Sequence, residues 1–117
     1  MADPSDPRVT TTDGPATPDT EPGPAPGPID PATGQHTSYW ILTAEQRAHG
    51  FVRPVRASYE HTTCRTRTTM AASIAETWSR DPKFYGCTFC VQCRDHLPVG
   101  EFVWVVNDIT TTEVLGS

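Results

Sequence analysis

Three of the four cysteines in this chain fall within seven residues, and this cluster limits the fold more than any other feature of the sequence. Cys87, Cys90 and Cys93 follow one another at intervals of three, while Cys64 lies upstream, three residues after His61. The chain therefore contains two short pairs with the same spacing, each suited to a tight turn that points two ligands at one metal ion. The sequence predicts a metal site.

A tetrahedral zinc ion takes four nitrogen or sulfur ligands, commonly as two such pairs. We expect these ligands to be His61, Cys64, Cys90 and Cys93. The alternative ligands are Cys87 and His96, chiefly in place of His61. The ion would join a turn before the main predicted helix to a turn after it. About 80 residues with interrupted strands form only a modest core, and small domains of this kind commonly need such a staple.

Three other uses of these cysteines stay open. Cys87, Cys90 and Cys93 with the remote Cys64 also have the spacing of an iron–sulfur site, although no proline follows Cys64 and His61 would then have no role. Thiol redox chemistry at a C-x-x-C pair needs a helix N-terminus and a thioredoxin-like context, and the sequence indicates neither. The third alternative is a set of buried cysteines without a metal.

The sequence shows no signature of a catalytic zinc site. Such a site keeps an open coordination position beside a general base, and the carboxylates nearest to the ligand pairs along the chain are Glu60 and Asp95. The His-x-Glu element of a zinc deaminase is absent, because Thr62 and Thr63 follow His61. We therefore expect a structural zinc site in a protein that is not an enzyme.

The first 36 residues differ in composition from the rest of the chain. They contain nine of the twelve prolines and six acidic side chains against Arg8 alone. Residues 37–117 carry eight acidic and eight basic side chains and are neutral overall. A proline-rich segment with few large apolar side chains cannot bury enough surface to offset the entropy lost on ordering. We expect residues 1–36 to form an acidic Pro/Gly-rich arm, disordered or ordered by a partner, and residues 37–117 to form the zinc-binding domain.

Charge and hydropathy argue against several classes of function. The predicted domain has no basic excess, and nucleic-acid binders usually have one because phosphate contacts supply much of their affinity. No run of about 18 apolar residues is present, so we expect no transmembrane helix. The N-terminus lacks the basic and then apolar pattern of a signal peptide. We therefore expect a protein that is not secreted and has neither nucleic acid nor a membrane as its partner.

The remaining patterns predict an α+β fold with one main helix and a short antiparallel sheet. Residues 43–46 read as a capping box, with Thr43 as the N-cap of a short helix that stops at Gly50. Residues 51–59 alternate as a strand would, although Pro54 makes this strand an edge or an interrupted one.

Residues 70–80 form the strongest helix pattern, because Met70, Ile74 and Trp78 recur every four residues. Thr68 or Thr69 is the expected cap of this helix, and the Asp-Pro dipeptide that follows residue 80 is expected to end it.

The end of the chain predicts a β-hairpin. Residues 99–106 and 109–115 read as its two strands, and Asn107 and Asp108 are suited to the turn between them. In the first strand, Phe102 and Trp104 would share one face.

Several segments after residue 42 form a dense set of motifs. They are Gly50-Phe51-Val52-Arg53-Pro54-Val55-Arg56, Tyr59-x-His61-x2-Cys64, Met70-x3-Ile74-Ala75-Glu76-Thr77, Asp81-Pro82-Lys83-Phe84-Tyr85-Gly86, Thr88-Phe89-Cys90-Val91-x-Cys93-x2-His96 and Gly100-Glu101-Phe102-Val103-Trp104. This set resembles a family of small, uncharacterised zinc-binding proteins of tailed bacteriophages and prophages. The resemblance implies a phage origin and a zinc site, and it implies no activity. Cys87 stands where that family usually has a small residue, and Arg65 stands where it usually has glycine.

These expectations combine into one functional prediction. We expect a non-enzymatic phage structural or interaction protein, most readily a capsid decoration or minor structural protein of the virion. Its partners would be protein subunits of the particle, contacted partly by the arm of residues 1–36, and it would be found in the virion or the host cytoplasm. The alternative is an intracellular zinc-ribbon-like adaptor that binds a host protein or nucleic acid.

Overall fold

The computed structural model describes residues 6–14 and 25–116. Its elements, in chain order, are β1 (Val9–Thr11), β2 (Trp40–Leu42), α1 (Ala44–Ala48), β3 (Ser58–His61), β4 (Arg67–Thr69), α2 (Ala72–Arg80), β5 (Cys87–Cys90), β6 (Asp95–Pro98), a 3₁₀ helix (Val99–Glu101), β7 (Phe102–Val106) and β8 (Ile109–Val114). One main helix lies against antiparallel sheets, which confirms the predicted α+β class. Within these described ranges, no helix combines the length and apolar character needed to cross a membrane.

The central sheet has four antiparallel strands in the order β4-β3-β7-β8. Tyr59 of β3 pairs with Trp104 of β7, and both side chains are buried. Trp78 of α2 packs edge-on against Trp104, with ring centroids 5.7 Å apart. Phe102 is buried on the same side as Trp104, as the alternating pattern predicts. The helix and the inner face of this sheet therefore form the core.

The predicted hairpin at the end of the chain is confirmed as β7 and β8. Asn107 and Asp108 connect the two strands with φ of 51° and 64°. Two successive positive φ values are typical of the tight turns that match the twist of a hairpin, and asparagine and aspartate tolerate them well.

A second hairpin, β5 with β6, carries the cysteine-rich segment. Cys90 and Leu97 of this hairpin pack against the buried cluster around Trp78 and Trp104. The sequence predicted a metal-binding turn here and did not predict the two strands that flank it.

The segment of residues 51–57 is irregular, and the strand that was predicted over 51–59 begins only at Ser58. The backbone N–H groups of Val52 and Arg53 donate to the carbonyl of Ser79, at 2.9 and 3.2 Å, so they are not available to a sheet. Pro54 has no N–H group to contribute. This segment therefore follows the end of α2 instead of pairing with a strand.

The main helix begins at Ala72, two residues later than predicted. Thr68 and Thr69 belong to β4 and do not cap it, and the N-cap position is held by Ala71 without a side-chain hydrogen bond. Met70 is held outside the helix because its N–H donates to the carbonyl of Ala57. Pairing with β3 has thus shortened the helix from its N-terminal end.

The described parts of the predicted arm pack on the domain of the same chain. β1 pairs antiparallel with β2, so that Val9 lies opposite Leu42. The guanidinium of Arg94 donates to the carbonyl of Ala32 at 2.6 Å. The division of the chain at residue 36 stays a prediction.

Candidate metal centre

Two hairpins of similar construction present the predicted ligands. His61 ends β3 and Cys64 lies in the turn that follows, while Cys90 ends β5 and Cys93 lies in its turn. In each turn the residue after the second ligand closes the loop with a backbone hydrogen bond of 2.8 Å, from Arg65 N–H to His61 and from Arg94 N–H to Cys90. The two pairs are thus carried on matching backbone turns.

Both closing residues adopt the left-handed conformation. Arg65 has φ of 61° and Arg94 has φ of 54°. An L-residue other than glycine is disfavoured there by roughly 1–2 kcal/mol. This geometry explains why glycine suits the position after the first cysteine, and why Arg65 is an unusual choice at this point of the chain.

The donor atoms of the four predicted ligands converge. His61 Nδ1 lies 3.3 Å from Cys64 Sγ and 3.6 Å from Cys93 Sγ. Cys64 Sγ lies 3.5 Å from Cys90 Sγ, and the four donor atoms all lie within 4.8 Å of one another. This sulfur–sulfur distance is far longer than a disulfide bond of about 2.05 Å, and the cysteines are free.

These distances are those of a small tetrahedral site. Zinc–sulfur bonds of about 2.3 Å and zinc–nitrogen bonds of about 2.0–2.1 Å place neighbouring donors roughly 3.5–3.8 Å apart on a tetrahedron. The observed separations of 3.3, 3.5 and 3.6 Å are close to these values. These three of the six donor separations therefore fit a metal ion, and the others are at most 4.8 Å.

The cluster is closed on one side and open on the other. Cys90 and His61 are 0% and 2% exposed, Cys64 is half-buried and Cys93 is exposed. An ion can thus enter past Cys93 while the inner donors stay packed in the core.

Glu101 orients the histidine. Its Oε1 lies 2.9 Å from His61 Nε2, on the ring edge opposite the sulfurs. The imidazole also stacks on Phe102, with ring centroids 4.7 Å apart. A carboxylate that accepts the Nε2 proton leaves the Nδ1 lone pair free for a metal, as in other carboxylate–histidine–metal arrangements.

Sequence reasoning missed Glu101 because it considered only carboxylates close to the ligands along the chain. Of those, Glu60 instead accepts a hydrogen bond from Thr110 at 2.9 Å, and Asp95 accepts one from the backbone N–H of His96 at 2.8 Å. The pairing of His61 with Phe102 in the central sheet brings Glu101 to the imidazole. The available signal was the predicted strand that contains Phe102, but its partner strand could not be chosen from the sequence.

The protonation of the cluster without metal is uneven. Burial acts to raise the pKa of the Cys64 thiol, but hydrogen bonds from Thr66 and His61 outweigh this effect and lower that pKa to about 6. The neighbouring Cys90 and burial raise the pKa of Cys93 to about 11. Burial acts to lower the pKa of His61, yet hydrogen bonds with Glu101 and Cys64 leave it raised. The cluster thus combines a thiolate with a protonated thiol, and binding of a divalent cation would release protons.

The two alternative ligands lie outside this cluster. His96 Nε2 is 2.8 Å from the hydroxyl of Tyr39 and is engaged there. Cys87 lies at the opposite end of β5 from Cys90 and is half-buried. In the described part of the chain, the converging group contains three cysteines and His61 but not Cys87. The four-cysteine arrangement of an iron–sulfur site is therefore not formed.

Fold and site together define an α+β domain that carries a His-Cys₃ cluster between two hairpins. Comparison with protein-family models, curated proteins and solved structures gives no match.

Proposed function

We propose that this chain is a non-enzymatic structural or interaction protein whose C-terminal domain is held together by a structural zinc ion. The observation that carries the proposal is the convergence, within 4.8 Å, of donor atoms from turns before and after α2. The proposed ligands are His61, Cys64, Cys90 and Cys93. Three thiolates and one imidazole fill a tetrahedral zinc ion completely and leave no position for a substrate.

The donor set supports zinc over the other common ions. Thiolates suit zinc, copper(I) and iron–sulfur chemistry, whereas magnesium, calcium and manganese prefer oxygen ligands. A structural zinc ion contributes roughly 10–16 kcal/mol to folding at neutral pH. In a domain this small, that contribution is comparable to the whole stability expected of a folded protein, about 5–15 kcal/mol.

A metal assay tests the ligand assignment. We expect the purified protein to contain one zinc per chain by elemental mass spectrometry. Changing Cys64, Cys90 or Cys93 to alanine should lower that content, and Cys87→Ala and His96→Ala are matched controls that should keep it. A chain without zinc would refute the proposal, and loss of zinc from a control with retention in His61→Ala would refute this ligand set.

An exposed apolar loop supports an interaction role. Phe51, Val52 and Val55 are 46%, 54% and 48% exposed. The loop is nevertheless held in place, because the hydroxyl of Ser79 donates to the carbonyl of Pro54 at 3.1 Å. Apolar side chains presented on a fixed backbone are typical of protein-binding surfaces.

A more specific proposal, on where the protein is located, rests on the resemblance to phage proteins. We assign the chain to the particle of a tailed phage, as a capsid decoration or minor structural protein whose partners are neighbouring subunits, contacted partly by residues 1–36. Mass spectrometry of purified particles tests this assignment. Absence of the chain from intact virions would refute it without affecting the zinc site.

A second candidate is an intracellular adaptor. Two hairpins that each supply a ligand pair are the arrangement of a zinc ribbon, a module that often binds proteins or nucleic acids. This role predicts co-purification of a host protein, or salt-sensitive binding in a gel-shift series. Failure to bind DNA or RNA at low salt would remove the nucleic-acid form of this candidate.

A further inference from the structure

A cavity of about 660 Å³ lies between the N-terminal segment and the start of α2, apart from the metal cluster. Seven tyrosine, tryptophan and phenylalanine side chains contribute to its wall: Tyr39, Trp40, Tyr59, Trp78, Phe84, Tyr85 and Phe89. None of the four metal donors lines it. Cavities of roughly 300–1,000 Å³ with mainly apolar walls are the usual sites of small-molecule binding.

The wall of this cavity is close to uncharged. Among the described residues that line it there is no lysine or arginine, and the one carboxylate is that of Asp95, which is exposed. Burial lowers the pKa of His96 and raises the pKa values of Cys87 and Tyr85, so each of these groups favours its neutral form. A charged ligand would lose its hydration here without meeting a countercharge inside.

Polar groups in the wall of the cavity also form hydrogen bonds with one another. The hydroxyl of Tyr39 accepts from the backbone N–H of His36 at 3.0 Å and lies 2.8 Å from His96 Nε2. The hydroxyl of Thr88 donates to that of Tyr59 at 3.1 Å. The rings are therefore held in fixed positions, which favours a rigid, flat ligand over a flexible chain.

We propose that this cavity binds a small uncharged molecule with a planar aromatic ring system. Offset or edge-on contacts with the surrounding rings would supply most of the affinity. The absence of an internal countercharge would select against anions and cations of the same shape.

Three matched probes test the proposal on the full-length, zinc-loaded protein. They are naphthalene-2-methanol, naphthalene-2-methylamine and naphthalene-2-carboxylate, which differ mainly in charge. We expect naphthalene-2-methanol to bind with one-to-one stoichiometry in calorimetry, and the two ions to bind at least tenfold more weakly. No binding of the alcohol, or tighter binding of either ion, would overturn the proposal.

A variant with a larger side chain in the cavity wall tests whether the probe binds in this cavity. Gly86 lines the cavity, and a Cβ added there meets nothing within 4 Å, so Gly86→Leu places a side chain in open space at the wall. Gly100→Leu is the control, because a Cβ at Gly100 is equally free and the residue does not line the cavity. We expect at least a tenfold loss of affinity in the first variant and none in the second. Equal affinity in both would place the binding elsewhere.

Folding and metal content are checked independently of the probes. Circular dichroism and zinc content should match the wild type in both variants, and Ala71→Leu, at another point of the wall, replaces Gly86→Leu if the latter misfolds. The proposal does not depend on the zinc assignment, since probe binding and metal stoichiometry are separate measurements.

Discussion

At the scale of single residues, His61 joins the core to the cluster. The residue is buried, and its ring stacks on Phe102 and contacts a carboxylate on one edge and two sulfurs on the other. The orientation of this imidazole therefore depends on Glu101, a residue that would not itself bind the ion.

Removal of the Glu101 carboxylate should weaken zinc binding. We expect Glu101→Ala to lower zinc affinity by about 10–100-fold, the range seen when partners of metal-bound histidines are lost. Glu101→Gln keeps an acceptor oxygen at the same position and should lose less. Competition with a chromophoric chelator measures both, and an unchanged affinity in the alanine variant would contradict the role given to Glu101.

Substitution by glycine should have different effects at Arg65 and at Arg94, the residues that close the two turns. Arg65→Gly should raise the free energy of unfolding by about 1 kcal/mol, because it relieves a left-handed conformation that arginine disfavours. The substitution also removes an ion pair of 3.7 Å between the exposed Arg65 and the buried Glu60, but Glu60 keeps its contacts with Arg67 and Thr110. Arg94→Gly should raise the free energy of unfolding by a smaller amount, since it also removes the 2.6 Å hydrogen bond from Arg94 to the carbonyl of Ala32. Urea denaturation of the zinc-loaded proteins checks this, and a less stable Arg65→Gly would contradict it.

At the scale of elements, a buried hydroxyl connects α2 to β2. Thr77 is 0% exposed, accepts from the N–H of Leu42 at 3.1 Å and donates to the carbonyl of Ser73 at 2.8 Å. The helix thereby gains a polar connection to the strand that pairs with β1. This contact orders the N-terminal side of the molecule against the domain.

Loss of the Thr77 hydroxyl should destabilise the fold even when the shape of the side chain is kept. Thr77→Val keeps the volume but leaves the N–H of Leu42 without its acceptor, so we expect a loss of about 1–3 kcal/mol in the free energy of unfolding. Thr77→Ser retains the hydroxyl and is the matched control, with a smaller loss from its missing methyl group. Thermal and urea unfolding of both variants give the comparison, and a valine variant as stable as the serine variant would refute it.

At the scale of the whole molecule, two hairpins meet at the candidate metal cluster, and α2 packs in the hydrophobic core beside it. The turn of β3 and β4 and the turn of β5 and β6 both supply donors. The core between them is small and is built around Trp78, Trp104 and Phe102. We infer that the metal ion and this core stabilise the fold together.

Removal of zinc should therefore unfold the C-terminal domain. A strong chelator at neutral pH should abolish the far-ultraviolet signal of α2 and expose the backbone to protease, because the core alone cannot replace roughly 10 kcal/mol or more of metal binding. Addition of zinc should restore both. Retention of the helix signal and of protease resistance after complete removal of zinc would contradict a structural role for the ion.

Alkaline pH should destabilise the fold through its tyrosines. Burial raises the pKa of Tyr59 from 10.0 to about 12, with the hydrogen bond of Thr88 opposing it. Burial also raises the pKa values of Tyr39 and Tyr85. A group whose pKa is raised by folding contributes stability that is complete below its unfolded pKa and is lost as the pH rises through its folded pKa.

We therefore expect stability to fall above about pH 10, and the tyrosinate absorbance at 295 nm to appear at higher pH in the native protein than in the denatured chain. Identical titration curves in the two states would show that the tyrosines are not buried as described.

Local patterns were enough to predict several parts of this protein. Thr43 accepts a hydrogen bond from the N–H of Gln46 at 3.2 Å, as the capping-box pattern indicated. The turn at Asn107 and Asp108 and the end of α2 before the Asp-Pro dipeptide were also predicted. The closeness of the two donors within each predicted pair belongs to this group, because residues three apart meet in one turn, while their role as metal ligands stays a prediction. Interactions within a few residues decide all of these features, so the sequence reveals them directly.

Contacts between segments that are far apart in the sequence decided the features that local patterns did not predict. The approach of Glu101 to His61 depends on the register of β3 with β7, and the late start of α2 depends on the pairing of β4 with β3. The cavity is lined jointly by residues before β3, by α2 and by the hairpin of β5 and β6, which are far apart in the sequence. Many registers satisfy the same alternation of apolar side chains, so choosing among them requires the packing of the complete core.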